Sequence, residues 1–253
     1  MTKPPSGRSG STPANDVPSA EGREGSLPEE ADELQPFDPL GLNNLAISTA
    51  KALLERRARP LGDLPSFSGA GVYAIYYSGT HPAYEVIAAE NQDRQRPRWP
   101  IYVGKAVPEG ARRGLPKVAA AATNALFKRL RDHRESIQAA PSLRVDDFLC
   151  RFLIVHHLWI PLTEQLLITF FAPVWNQNID GFGNHDPGSG RHEGLCPRWD
   201  VLHPGRPWAA KLKPRAETAS DIQREVRQHL ASTPVPSLAD LSGGYSLMGK
   251  VLP

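Results

Sequence analysis

The chain has 253 residues, with 29 Lys and Arg against 27 Asp and Glu, a formal net charge of +2 at pH 7. This length allows one large or two small domains, and two cysteines exclude a fold framed by disulfides. The sequence contains no stretch long enough to span a bilayer and no signal-peptide pattern, so we expect a cytoplasmic protein with no membrane partner.

The charge is unevenly distributed along the chain. Residues 1–36 are rich in Pro, Ser, Gly and Glu and carry three basic and seven acidic side chains, a net charge of −4. This composition predicts a disordered acidic tail. Residues 37–253 therefore carry +6, and residues 94–151 alone have 13 Lys and Arg against 5 Asp and Glu, or +8. Such a basic centre favours a polyanionic partner, although a solvated helical face is also commonly basic.

The first half of the ordered chain predicts one helix and two strands. A helix begins at Asn43 or Asn44 and ends at about Arg59, because Pro60 stops it. Two short runs rich in β-branched and aromatic residues predict strands over 71–77 and 101–103. A long polar excursion, 78–98, separates them.

The second half alternates helix and strand. After a loop over 105–117, the pattern predicts a helix over 125–137 with Thr123 or Asn124 as its cap. A strand over 147–155 is apolar on most of both faces, which is typical of a central strand. Another helix starts with Pro161 in its first turn and ends before Pro173. A short helix is expected over 217–230, and the elements together predict a small α/β unit with about three strands.

Six side chains in these elements could carry chemistry. Two tyrosines lie beside glycines in the paired strands, and an arginine and a histidine four apart share one helix face. A glutamate opens an apolar helix, and an asparagine follows a turn. Taken alone, each of them could also have a purely structural role, such as packing in the sheet or lying on a solvated helix face. The six are Tyr73, Tyr102, Arg129, His133, Glu164 and Asn176.

In this order the residues resemble the GIY-YIG nucleases. The two tripeptides are Gly71-Val72-Tyr73 and Tyr102-Val103-Gly104, followed by the arginine, the glutamate and the asparagine. The resemblance is closest to a branch of type II restriction endonucleases, which share His133 and the Gly-Phe-Gly-Asn-His-Asp-Pro-Gly run at 181–188. The 29 positions between the two tyrosines exceed the usual short turn. This insertion is typical of the restriction branch, but it leaves the role of 78–98 open.

The resemblance implies a fold and an activity. The fold is α+β, with a three-stranded antiparallel sheet flanked by helices and decorated by insertions over 37–212, before a C-terminal helix and a loosely ordered tail over 213–253. The activity is hydrolysis of double-stranded DNA at the palindrome CCGCGG by a homodimer, without a nucleotide cofactor. Two alternatives stay open: a repair or mobile-element nuclease of the same family, and a catalytically inactive DNA-binding protein.

The resemblance also implies roles for individual residues. Tyr73 is the base and His133 accepts its proton, while Tyr102 shares this role or holds a water. Arg129 offers a permanently charged fork to phosphate oxygens. Glu164 is the one metal ligand, and a single carboxylate suits Mg²⁺, with Mn²⁺ as a substitute. Lys105 or Arg129 can stabilise a tyrosine anion, and Asn176 orients the site.

DNA contacts are harder to assign from sequence. Arginines in loops can address phosphates or guanine edges, and the candidates are Arg112, Arg113, Arg191 and Arg206. A zinc site would need compactly spaced ligands, and the spacing of the candidates fits no such pattern: His185, His192, Cys196 and His203.

Overall fold

The structure is a computed structural model that describes residues 41–108 and 123–237. The predicted acidic tail over 1–36, the arginines Arg112 and Arg113, and the end of the predicted C-terminal tail lie outside the described residues.

A four-stranded antiparallel sheet lies at the centre of the described chain, in the order β1–β4–β2–β3. Its strands are β1 (Arg59–Pro60), β2 (Gly71–Tyr77), β3 (Pro100–Ala106) and β4 (Phe148–Ile154). The predicted α+β class and the three antiparallel strands are confirmed. The fourth strand, β1, has only two residues, too few to show a periodic pattern.

Lys105 was predicted to open a loop, and the structure corrects this. Strand β3 continues to Ala106, because its backbone stays paired with β2 as far as the Gly71–Ala106 pair. Lys105 therefore lies on a rigid strand, directly opposite Val72.

Seven α-helices surround this sheet within the described residues. They are α1 (Leu42–Leu54), α2 (Glu85–Glu90), α3 (Ala125–Ala139), α4 (Ile160–Phe171), α5 (Val174–Gln177), α6 (Arg198–Leu202) and α7 (Ala219–Ser232). In this part of the chain no helix combines the length and the apolar character that crossing a membrane requires.

The prediction for the first helix was wrong at both ends. The first helix begins after Gly41, which takes a left-handed conformation at φ 59°, so the two predicted capping asparagines lie inside the helix. It also ends earlier than predicted, because Arg59 and Pro60 pair with β4 instead. The excursion 78–98, for which no element was predicted, contains the short helix α2.

The sheet is covered by helices on both faces. Side chains of a strand alternate between faces, so Tyr73 and Val72 of β2 point in opposite directions. Tyr73 belongs to a core shared with α3, α6 and α7, whereas Val72 belongs to a core shared with α1 and α4. Tyr73 therefore lies beneath α3, the helix that carries Arg129 and His133.

The last described helix, α7, is attached to the same core as Tyr73. Its buried side chains are Ile222, Val226 and Leu230. A capping box in which Thr218 and Asp221 exchange hydrogen bonds fixes its start. The boundary at residue 212 between the nuclease domain and a C-terminal segment stays a prediction.

Candidate active site

A cleft of about 800 Å³ opens where β3 meets the starts of α3 and α4. Five of the seven predicted catalytic residues line it: Tyr73, Tyr102, Lys105, Arg129 and Glu164. They come from two strands and two helices, so only the folded chain brings them together. The other two, His133 and Asn176, do not line the cleft but contact residues or strands that do.

Tyr73 and His133 form a buried hydrogen-bonded pair. The Tyr73 hydroxyl lies 2.6 Å from His133 Nε2, and both side chains are almost completely buried. Gly104, across the sheet from Tyr73 in β3, makes room for this hydroxyl, because a β-carbon there would overlap it. The glycine of the second tripeptide is therefore required by the tyrosine of the first.

The electrostatics of this pair favour two neutral groups. Burial raises the pKa of Tyr73 well above its ordinary value, and Tyr102 adds to this, while Arg129 opposes it. Burial also lowers the pKa of His133 well below its ordinary value, with Arg129 as a further cause. The phenol therefore keeps its proton and the imidazole is neutral; with the imidazole proton on Nδ1, Nε2 accepts the hydrogen bond from the phenol.

Tyr102 lines the cleft beside Tyr73. The two ring centres are 6.2 Å apart, and the ring of Tyr102 meets that of His133 edge to face at 5.2 Å. Burial raises the pKa of Tyr102, and Arg129 opposes this shift. Its hydroxyl therefore also stays protonated, and it is the second phenol that can reach a molecule in the cleft.

Arg129 lies one helical turn before His133 and points into the same cleft. Its Nη2 donates to the Gly183 carbonyl at 2.7 Å, and its Nη1 lies 2.5 Å from His185 Nε2. Because a guanidinium can only donate, Arg129 is the donor in this contact and His185 the acceptor. Burial lowers the pKa of Arg129, but Tyr73, Tyr102 and Asp132 together raise it by more, so the arginine stays charged.

Glu164 is held by Lys105, and both line the cleft. The Lys105 ammonium and the Glu164 carboxylate form an ion pair between β3 and the second turn of α4. Only 18% of the Glu164 side chain is exposed, so its carboxylate is screened less than a surface acid. The carboxylate thus already faces a cation inside the cleft.

Asn176 fixes the position of β3. Its Oδ1 accepts from the Val103 amide and its Nδ2 donates to the Val103 carbonyl, both at 2.8 Å. Strand β3 is the last strand of the sheet, so this side chain replaces the missing neighbour strand there. Asn176 therefore holds the strand that carries Tyr102 and Lys105, and its orienting role in the reaction stays a prediction.

The predicted DNA contacts divide into three groups. Arg191 is exposed on a short turn, and Arg112 and Arg113 lie outside the described residues. Arg206 was predicted to reach DNA, but it is 4% exposed and paired with the buried Asp200. All five of its N–H groups donate within the protein, three of them to the carbonyls of residues 181, 182 and 184, so the structure corrects that prediction.

Two site residues were missed at the sequence level, His185 and Gly183. His185 was considered only as a zinc ligand, whereas the structure places it in the cleft against Arg129. The available signal was its position inside the 181–188 run. Of the other residues weighed for zinc, His203 is buried elsewhere, with its Nε2 2.6 Å from the Tyr84 hydroxyl.

Comparison with known protein families assigns the chain to one of them. The family model of the Eco29kI GIY-YIG domain matches residues 65–230, which are 166 of the 253 residues. This range includes both tripeptides and every residue of the cleft. No curated protein matches the chain. The chain belongs to the Eco29kI family of GIY-YIG restriction endonucleases, enzymes whose substrate is double-stranded DNA.

Proposed function

We propose that the protein is a type II restriction endonuclease that cuts double-stranded DNA at CCGCGG by a Mg²⁺-dependent, one-metal mechanism. The observation that carries this proposal is the Tyr73–His133 hydrogen bond of 2.6 Å beside a cleft that also holds Arg129 and Glu164. A tyrosine backed by a proton acceptor, a permanent cation and a carboxylate thus meet at one cleft, as phosphodiester hydrolysis requires.

The first step is attack of a water on the phosphorus. As the water oxygen forms its bond to phosphorus, its proton passes to the Tyr73 oxygen, and the Tyr73 proton passes to His133 Nε2. The phenol gives up one proton as it gains another, so it never becomes a free phenolate, which its burial disfavours. The imidazole ends the step protonated, and the P–O bond to the leaving oxygen breaks.

Arg129 stabilises the charge that develops on the phosphate. Its guanidinium is planar and permanently charged, so it can hold two phosphate oxygens at once. In the free protein two of its donors are engaged by Gly183 and His185. We propose that phosphate oxygens replace one or both of these partners when DNA binds.

Glu164 fits the role of a magnesium ligand. The described residues contain no group of three or more His, Cys, Asp or Glu side chains that could enclose a metal. One carboxylate, completed by waters and substrate phosphate, is an arrangement that Mg²⁺ accepts, and Mn²⁺ should substitute. A bound Mg²⁺ would supply charge neutralisation at the phosphate and the leaving oxygen. Lys105, which now neutralises Glu164, would be released toward the same phosphate.

The proposed recognition sequence and the proposed homodimer are linked by symmetry. A palindrome presents the same half-site twice, so a homodimer reads it with two identical surfaces. The resemblance to the branch that cuts CCGCGG supports this sequence. A cytoplasmic location and the absence of a nucleotide cofactor also remain part of the proposal.

Digestion of DNA of known sequence tests the proposal. Purified protein and Mg²⁺ should produce fragments whose ends all map to CCGCGG, and sequencing the ends gives the cleavage position. The matched control is Glu164→Gln, which keeps the size of the side chain and should leave the DNA intact. Cuts at unrelated sequences would favour the repair or mobile-element nuclease, and binding without cuts would favour the inactive DNA-binding protein.

A further inference from the structure

A second cavity, of about 500 Å³, is lined by five arginines and one exposed carboxylate, that of Glu55. The arginines are Arg56, Arg57, Arg96, Arg98 and Arg151. They come from three separate segments: the turn after α1, the end of the excursion 78–98, and strand β4. None of the residues around this cavity also lines the catalytic cleft.

The innermost of these cations is buried without a counterion. Arg151 is 3% exposed, donates to the Arg56 carbonyl at 2.8 Å and the Pro97 carbonyl at 2.6 Å, and lies 5.0 Å above the ring of Tyr76. Across the described ranges, no carboxylate is within ion-pair distance of it. Burying a charge costs free energy unless an opposite charge compensates it, so this cavity wall favours an anion.

The outer cations are exposed and mostly unpaired. Arg56, Arg57 and Arg96 are exposed and have no acidic partner in the part of the chain that the structure describes. Arg98 does have one, since its Nη1 lies 3.4 Å from Glu90. Like charges held close together repel each other, and an anionic ligand between them removes that repulsion.

The cavity and the catalytic pair are on opposite faces of the sheet. Arg151 stands opposite Ala74, the neighbour of Tyr73 in β2, and paired side chains share a face. The ring of Tyr76, below Arg151, is on the α1 and α4 side. A phosphate bound there is therefore different from the phosphate that is cut.

We propose that this arginine cavity binds backbone phosphates of DNA outside the catalytic cleft. The identity of the ligand rests on the proposed function. Arginine forks match phosphate oxygens in geometry as well as in charge. The bound phosphates come either from DNA that flanks the cut site or from a second duplex. The proposal gives the excursion 78–98 a role, since it brings Arg96 and Arg98 to the cavity.

The test compares two double variants in the Glu164→Gln background, which cannot cut. Arg56→Gln/Arg96→Gln removes two exposed cations of the cavity. Arg144→Gln/Arg227→Gln removes two exposed cations that line neither cavity. Fluorescence anisotropy in a salt series gives the affinity for a long duplex and for a short one limited to the recognition site. Equal thermal midpoints for both variants check the fold.

Loss of two phosphate contacts should reduce the slope of log K against log salt by about 2, at about 0.9 per contact. If the slope is reduced on the long duplex alone, the bound phosphates belong to DNA that flanks the cut site. Loss of a second binding event on the short duplex assigns them to a second duplex. Equal slopes for the cavity variant and its parent, or equal reductions in the control variant, would overturn the proposal.

Cleavage of the short duplex separates this proposal from the proposed function. With Glu164 intact, Arg56→Gln/Arg96→Gln should cut the short duplex at the wild-type single-turnover rate. If the wild-type protein itself does not cut, the proposed function fails, while the anisotropy slopes still decide whether the cavity binds DNA.

Discussion

Removing the hydroxyl of Tyr73 is the most informative single change at the site. Tyr73→Phe deletes one oxygen from a side chain that is otherwise fully buried, and it breaks the hydrogen bond to His133. The phenylalanine ring fits the same space, because the neighbouring Gly104 leaves room for the larger side chain. The variant should therefore fold with the same strand register.

Loss of this contact should have two separate effects, one on stability and one on the cleavage rate. His133 Nε2 would be left buried without its partner, which costs about 1–3 kcal/mol of unfolding free energy. The proton of the attacking water would lose its acceptor, and a positioned general base contributes about 10²–10⁴ to the rate. We expect the single-turnover cleavage rate to fall by about 10²–10⁴-fold or more, while the affinity for DNA stays close to that of the wild type.

Tyr76→Phe is the matched control. Tyr76 lies on the same strand and is equally buried, but its hydroxyl makes no hydrogen bond within the described residues. Deleting it should leave both stability and cleavage near wild type. Quench-flow cleavage of a duplex in excess protein, together with chemical denaturation, measures both effects. Wild-type cleavage by Tyr73→Phe would refute the proton path, and if Tyr102→Phe were then inactive the two tyrosines would exchange roles.

Four further predictions concern the other residues of the cleft. Glu164→Gln should keep specific DNA binding and lose cleavage in Mg²⁺ and Mn²⁺ alike; cleavage near the wild-type rate would remove Glu164 as the metal ligand. Arg129→Ala should lose at least about 10²–10³ in single-turnover rate, and Arg129→Lys should recover little because the fork is lost; weaker binding at an unchanged rate would reassign it to positioning. His185→Ala frees one Arg129 donor, so it should change cleavage far less than Arg129→Ala; an equally large loss would give His185 a direct role. The pKa of His133 is lowered in the fold, so only the unfolded chain takes up a proton at this residue as the pH falls below about 6.5. The free energy of unfolding should therefore drop by up to ~1.4 kcal/mol per pH unit. In His133→Gln this free energy should depend less steeply on pH, and an unchanged pH dependence would mean that His133 is charged in the fold.

Much of the site could be predicted from the sequence because its residues sit on regular elements. Tyr73 and Tyr102 lie on strands whose apolar runs are distinct, and Arg129 and His133 share a helix face by spacing alone. The order of these elements then resembles a known family closely enough to add Glu164 and Asn176. Local patterns and family order together were sufficient for these residues.

What sequence could not supply was contacts between distant segments. Arg206 looked like a free loop arginine, but besides pairing with Asp200 it donates to the carbonyls of residues 181, 182 and 184, more than 20 positions earlier in the chain. His185 lies in an irregular loop, so no periodicity indicates which way it points. The ion pair between Lys105 and Glu164 joins residues 59 positions apart, and it depends on the full register of β3.

Cleavage of a supercoiled plasmid that carries one CCGCGG site tests the central claim most directly. With Mg²⁺ the wild-type protein should convert the plasmid to a single linear product, and chelation of the metal should prevent this. A plasmid with one base pair of the site changed should stay supercoiled in the same reaction. If the protein binds the cognate plasmid in Mg²⁺ but leaves it supercoiled, the cleft is not a nuclease site and the account is wrong.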